Sequence, residues 1–178
     1  AAFERRSLGQ YNQSQLRWVF SYAKIPWRYL LLTSTKLLLK HYLKSSGTLI
    51  FDDTDNMRSK NTSKISHVHK IRDKRTGGYC KGQELVFLVL VTDTVTLPVD
   101  FRFYHPDPVV SAWKKENQRL KSKNVPTKER PKRPEPNPEY PTKQELALDM
   151  LEAFAQHFPE IEVTSVLADA LYGSRDFM

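Results

Sequence analysis

The sequence predicts an α/β fold built on a mixed sheet, and four observations predict it. An apolar run, Leu49-Ile50-Phe51, has the composition of a buried strand and stops on Asp52, Asp53 and Asp55. A second run, Leu85 to Val91, is continuous enough to be buried on both faces. The short connection after it leads into a third, Leu97 to Tyr104, which makes those two antiparallel neighbours. Finally, a helix with a capping signature feeds a fourth strand-like run, Val163 to Ala168, that arrives at Asp169.

Taken in order, residues 14–45 have helical spacing, with apolar positions at Leu16, Val19, Phe20 and Ala23, then Leu37, Leu38, Tyr42 and Leu43. Pro26 divides the stretch, because its ring removes a backbone donor. Ser45-Ser46-Gly47 ends the second helix and opens the first strand at 48–52. Residues 54–83 are polar and basic, with Asp73 the only acid after Asp55 and Gly77-Gly78 as a turn signal. After the third strand and His105-Pro106-Asp107-Pro108, an amphipathic helix is expected over 109–121. Prolines 126, 131, 134, 136, 138 and 141 then make 124–141 extended and exposed.

Thr142 with Glu145 three residues on is a capping box. The helix it starts carries Leu146, Leu148, Met150, Leu151, Phe154 and Phe158 and ends before Pro159. A strand at 161–168 follows, and Tyr172 opens a further helix. Strand, strand, strand, insertion, helix, strand, helix start is the order of the first two-thirds of a ribonuclease H-like fold. The expected organisation is a helical segment at 1–45, then an incomplete ribonuclease H-like domain at 46–178 with a basic, Pro-rich insertion at about 109–141. On that reading the domain is expected to stop before the last strand and helix of that fold.

Composition bounds the partners. The 178 residues carry 28 Lys plus Arg against 20 Asp plus Glu, a net charge of +8, which steers polyanions towards the chain. Cys80 is the only cysteine, so no disulfide can form within the chain and a reducing, cytoplasmic compartment fits. The apolar run Tyr29 to Leu32 is too short to span a bilayer, so no membrane partner is expected. The chain starts without Met and stops on Phe177-Met178, and it reads as a fragment.

The acids carry the chemistry. Asp53 and Asp169 each close a strand, and two such ends can hold a divalent cation between them. Phosphoryl transfer through two metals needs carboxylates around ions roughly 3.5–4 Å apart. On a basic chain, the matching ligand is a nucleic-acid phosphate. The competing reading is that Asp52 and Asp53 cap a turn and Asp169 caps the following helix. Spacing alone leaves the two open.

Three segments resemble the DDE transposases of bacterial insertion sequences: Leu49-Ile50-Phe51-Asp52-Asp53-Thr54-Asp55, Tyr104-His105-Pro106-Asp107-Pro108, and Val166-Leu167-Ala168-Asp169-Ala170-Leu171-Tyr172-Gly173-Ser174. The resemblance covers about residues 45–178. It implies that Asp53, with Asp52 as the fallback, and Asp169 are catalytic ligands of Mg2+ or Mn2+, and it leaves Asp52 and Asp55 as supporting acids. It further implies cleavage and strand transfer on element DNA, with terminal repeats and target DNA as partners and a homodimer on paired ends. A bacterial, nucleoid-associated protein would follow. The family's third acid, a Glu on a helix beyond the fifth strand, has no counterpart in 1–178, so the chain alone is expected to be inactive. Two alternatives stand beside this: a non-catalytic DNA-binding remnant that inhibits the full enzyme, and a metal-dependent nuclease acting on structured nucleic acid.

The basic tract supplies candidate DNA contacts in Arg58, Lys60, Lys64, Lys70, Arg72, Lys74, Arg75 and Lys81, against the plainer reading of a solvated loop. The cluster from Lys114 through Arg133 reads better as a connector. His67-Val68-His69 has metal-ligand spacing, but Lys64 and Lys70 would oppose a cation there. The three tryptophans read as core or rim, Gly77-Gly78 lacks the phosphate-loop pattern, and Cys80 has no catalytic partner at a defensible spacing.

Overall fold

A computed structural model of the chain describes residues 12–42, 46–58 and 65–173. Two compact units divide the chain, residues 1–30 and 31–178. Helix α1 (Gln13–Tyr22) starts at a capping box in which Asn12 and Gln15 exchange side-chain bonds with each other's backbone N–H. Helix α2 (Trp27–Tyr42) follows Pro26, which is excluded from both helices as its missing donor requires.

The second unit is built on five strands: β1 (Ser46–Met57), β2 (His69–Arg72), β3 (Tyr79–Val91), β4 (Thr96–Tyr104) and β5 (Glu162–Leu167). Helix α3 (Pro108–Ser122) follows β4, and helix α4 (Lys143–His157) precedes β5. The order across the sheet is β2-β3-β1-β5, with β4 also on β3. β1 runs antiparallel to β3 from Thr48↔Val91 to Met57↔Gly82, and parallel to β5, with Ile50 opposite Leu167. The sheet is therefore mixed.

One face of the sheet holds the core. Leu49 and Phe51 of β1, Val86, Leu88 and Leu90 of β3, and Leu97 and Val99 of β4 pack with Leu146, Ala147, Met150, Phe154 and Phe158 of α4 and its C-terminal end. Leu39 of α2 joins them, and Thr35 on the same helix donates to the Pro98 carbonyl. The capping box at Thr142 is formed, with Glu145 accepting from the Thr142 N–H at 2.6 Å.

Three expectations change. The first strand does not end at Asp52 but continues to Met57, so Asp53 lies inside β1. The polar tract 54–83 holds strand where a loop was one reading: the ends of β1 and β3 and all of β2 form a ribbon beyond the core. Residues in it alternate faces, with Ile71 and Gly82 buried and Lys70, Arg72 and Lys81 exposed. Its hairpin turn is built by Asp73, whose carboxylate accepts from the Arg75 N–H and the Thr76 hydroxyl, and by Gly77 at φ 71°. The proline-rich stretch, finally, is partly packed: the Trp113 indole donates to the Pro131 carbonyl at 2.8 Å, and Arg130 donates to that of Val125.

Candidate active site

Strand alternation decides where Asp53 points. Leu49, Phe51 and Asp53 share the core face of β1, so the carboxylate is carried to the edge of the apolar core beside the start of α4. Two donors meet it there. The Tyr172 hydroxyl donates to Asp53 Oδ1 at 2.5 Å, and its ring stacks on Phe51 with centroids 5.8 Å apart. The Lys143 ammonium, on the first residue of α4, donates to Asp53 Oδ2 at 2.5 Å and to Glu84 Oε1 at 3.2 Å. His69 Nε2 then meets the other Glu84 oxygen at 2.8 Å.

The result is a continuous line of alternating donors and acceptors, Tyr172–Asp53–Lys143–Glu84–His69, drawn from five separate elements. Gln144 ties two of them together by donating to the Leu171 carbonyl. A cavity of about 400 Å³ opens on this line, lined by Asp53, Asp55, Glu84 and Lys143 together with Arg72 and Lys74 of the ribbon.

Each group is tuned by its neighbours. Burial alone would lower the Lys143 ammonium, but its bond to Asp53 and the charge of Glu84 outweigh that and hold it above the ordinary lysine range. The His69 bond holds Glu84 below the usual carboxylate range against its burial, with Lys143 adding to the effect. Burial opposes charge on His69 too, yet the bonds to Glu84 and to the His67 carbonyl raise it. Burial and the bond to Asp53 push the Tyr172 phenol far up, and the charges of Asp169 and Asp52 add to that shift. Tyr172 thus stays a donor, within electrostatic reach of all three acids.

Of the residues singled out from sequence, Asp53 is at the centre of the cluster. Asp52 is exposed on the opposite side of β1 and accepts from the Asp53 backbone N–H at 2.9 Å. Asp55 stands on the cavity wall, 3.4 Å from Lys74. Asp169 accepts from the Leu171 N–H and caps the short turn Ala170–Tyr172. Lys70, Arg72, Lys74, Arg75 and Lys81 are exposed on the ribbon, whereas Arg58 is partly buried and bonded to the Gln83 side chain. Lys60 and Lys64 lie outside the described residues.

Lys143 and Glu84 are the site's additions to the sequence reading, and His69, which stood out there for its metal-ligand spacing with His67, meets Glu84 instead. Glu84 sits where the β3 apolar run begins, and Lys143 sits at a helix start, where a positive charge runs against the helix dipole. That misplacement was the available signal.

Among the described residues, no three His, Cys, Asp or Glu side chains are grouped to hold a metal ion. The donors at the centre are carboxylate oxygens, however, and Mg2+ is held by one or two carboxylates while keeping several waters. The chemistry of the set therefore fits such an ion at Asp53. No helix among the described residues is long and apolar enough to cross a membrane.

Comparison with curated proteins and with solved structures gave no match. The family model described as DDE superfamily endonuclease matches residues 10–178, which takes in the sheet, α4 and every group of the cluster. The chain belongs to the DDE superfamily endonucleases.

Proposed function

We propose that the chain is an insertion-sequence transposase domain that acts on DNA through a Mg2+ or Mn2+ ion at Asp53, with Asp52 as the fallback for Asp53 and Asp169 as the second acid. The observation that carries the reading is Asp53 itself: a carboxylate placed on the core face of a central strand, next to the parallel strand that leads to Asp169. Three antiparallel strands with a fourth parallel to the first, β4-β3-β1-β5, support a ribonuclease H-like core. A divalent ion bound there would polarise the scissile phosphate and acidify the attacking water.

The chain's own residues supply the rest. Tyr172 fixes the rotamer of Asp53 from one side and Lys143 from the other. Arg72 and Lys74, which line the same cavity, would meet phosphate oxygens and hold the DNA backbone in register. Element ends and target DNA are the partners this reading names, and a homodimer would pair two ends.

The test is nicking of duplex DNA carrying element ends, in Mg2+ and in Mn2+, by the wild type and by Asp53→Asn. Because the family's third acid has no counterpart among residues 1–178, metal-dependent nicking is expected to be weak, and to fall to the metal-free background in Asp53→Asn. Nicking that survives the substitution would remove Asp53 from the chemistry. A second reading has its own support, because Asp169 is engaged as a cap and Asp53 is already neutralised by Lys143. On that reading the chain binds DNA without cutting it, and DNA binding with no nicking in either metal is its signature.

A further inference from the structure

Lys143 breaks a local rule. It occupies the first position of α4, where the exposed N–H groups make the helix end positive and an acid is the favourable residue. Such violations are expected where function overrides local preference. The Lys143 side chain is 18% exposed, and its ammonium is bonded to two carboxylates from different strands and lies 5.3 Å from the centre of the Tyr104 ring.

The two carboxylates differ. Asp53 lines the cavity, and the ammonium sits against its Oδ2 at 2.5 Å, which is where a metal ion would approach. Glu84 is held from behind by His69, so its position does not depend on Lys143. Glu84 and the Tyr104 ring already meet the ammonium away from Asp53, so it can give up Asp53 and keep both through rotation of its flexible four-carbon stem. A divalent cation and an ammonium cannot share one carboxylate oxygen, since charges of +2 and +1 a few ångströms apart repel strongly.

Building on the metal reading of Asp53 above, we infer that Lys143 is an internal counter-cation for Asp53, which leaves it for Glu84 and Tyr104 when a divalent cation binds. Without metal, the ammonium keeps a half-buried carboxylate neutralised and the start of α4 docked on the sheet. With metal, the displaced ammonium stays at the cavity wall, where its free donors face an incoming phosphate. Lys143 is then a positioning residue whose charge weakens metal binding until DNA supplies a further anion. Metal affinity should accordingly be low in the free protein.

The experiment is calorimetric titration with Mn2+, together with thermal unfolding in EDTA and in Mn2+, on the wild type, Lys143→Met and Lys143→Arg. Lys143→Met should bind Mn2+ at least tenfold more tightly than the wild type. It should unfold at a lower temperature in EDTA and recover more of that loss on adding Mn2+. Lys143→Arg, which keeps the charge, should bind as weakly as the wild type. Should Lys143→Met fail to fold, Lys143→Gln, which keeps a donor between the two carboxylates, carries the same comparison. Equal or weaker Mn2+ binding by the neutral variant overturns the inference while leaving the metal reading in place. Absence of binding by every folded protein overturns both.

Discussion

At the scale of single residues, His69 shows how geometry fixes a charge. Its Nδ1 lies 3.0 Å from the His67 carbonyl and its Nε2 lies 2.8 Å from Glu84, so both ring nitrogens face acceptors. Only the imidazolium has two donors to give. The raised His69 and the lowered Glu84 agree with that. A histidine whose folded value is raised contributes fully below its unfolded value of 6.5 and loses that contribution as pH climbs through the folded value. A lowered glutamate contributes fully above 4.5 and loses it as pH falls. The pair is therefore strongest between those values. His69→Gln should cost about 1.5–3 kcal/mol in that window, the usual worth of a hydrogen bond to a charged group. The melting-temperature gap between wild type and variant, followed from pH 4 to 9, should narrow above neutrality. A gap that widens with pH would mean that His69 is neutral in the fold.

At the scale of elements, the ribbon turns on Gly82. That residue has Met57 of β1 on one side and His69 of β2 on the other. A Cβ there would meet Ile71 Cδ1 at 2.2 Å and the Asn56 carbonyl oxygen at 2.9 Å, and the second of these is backbone. Gly82→Ala should cost about 1–3 kcal/mol through overpacking, which at this length is roughly 2–4 °C of melting temperature per kcal/mol. An unchanged melting temperature would mean that β2 does not lie on β3 at that point. The same element explains what could be read from sequence. The core parts of β1, β3 and β4 announce themselves as apolar runs, and the Thr142–Glu145 box announces α4. The ribbon's strands present one polar face each and a glycine where a core residue would stand, so their alternation is hidden in a charged tract. Asp53 was legible because an apolar run leads into it. Lys143, Glu84 and the true partner of His69 were not, because the contacts that define them join residues 59 and 15 positions apart, and only the strand register brings those together.

At the scale of the whole molecule, a net charge of +8 says little until its placement is known. On the ribbon, Lys70 and Lys81 stand directly opposite each other across β2 and β3, both exposed, and Lys70 also lies over the Tyr79 ring at 4.3 Å. Like charges facing across a strand pair destabilise it. A fold that keeps such a pair gains nothing in stability from it, and the cost makes sense if a polyanion sits between them. The same ribbon reaches the cavity through Arg72 and Lys74, so DNA lying along the lysines would be led to Asp53. Each phosphate contact contributes about −0.9 to the slope of log affinity against log salt concentration. Replacing both lysines by glutamine should flatten that slope by about 1.8 on duplex DNA, with a melting temperature equal to or above that of the wild type because the repulsion is gone. Fluorescence anisotropy between 50 and 300 mM salt measures it. A slope unchanged in the double variant would place the DNA elsewhere, with the exposed lysines of α3 and the segment after it as the next surface to test. A flattened slope with unchanged stability would separate the two roles of this charge, one towards the fold and one towards the phosphate backbone.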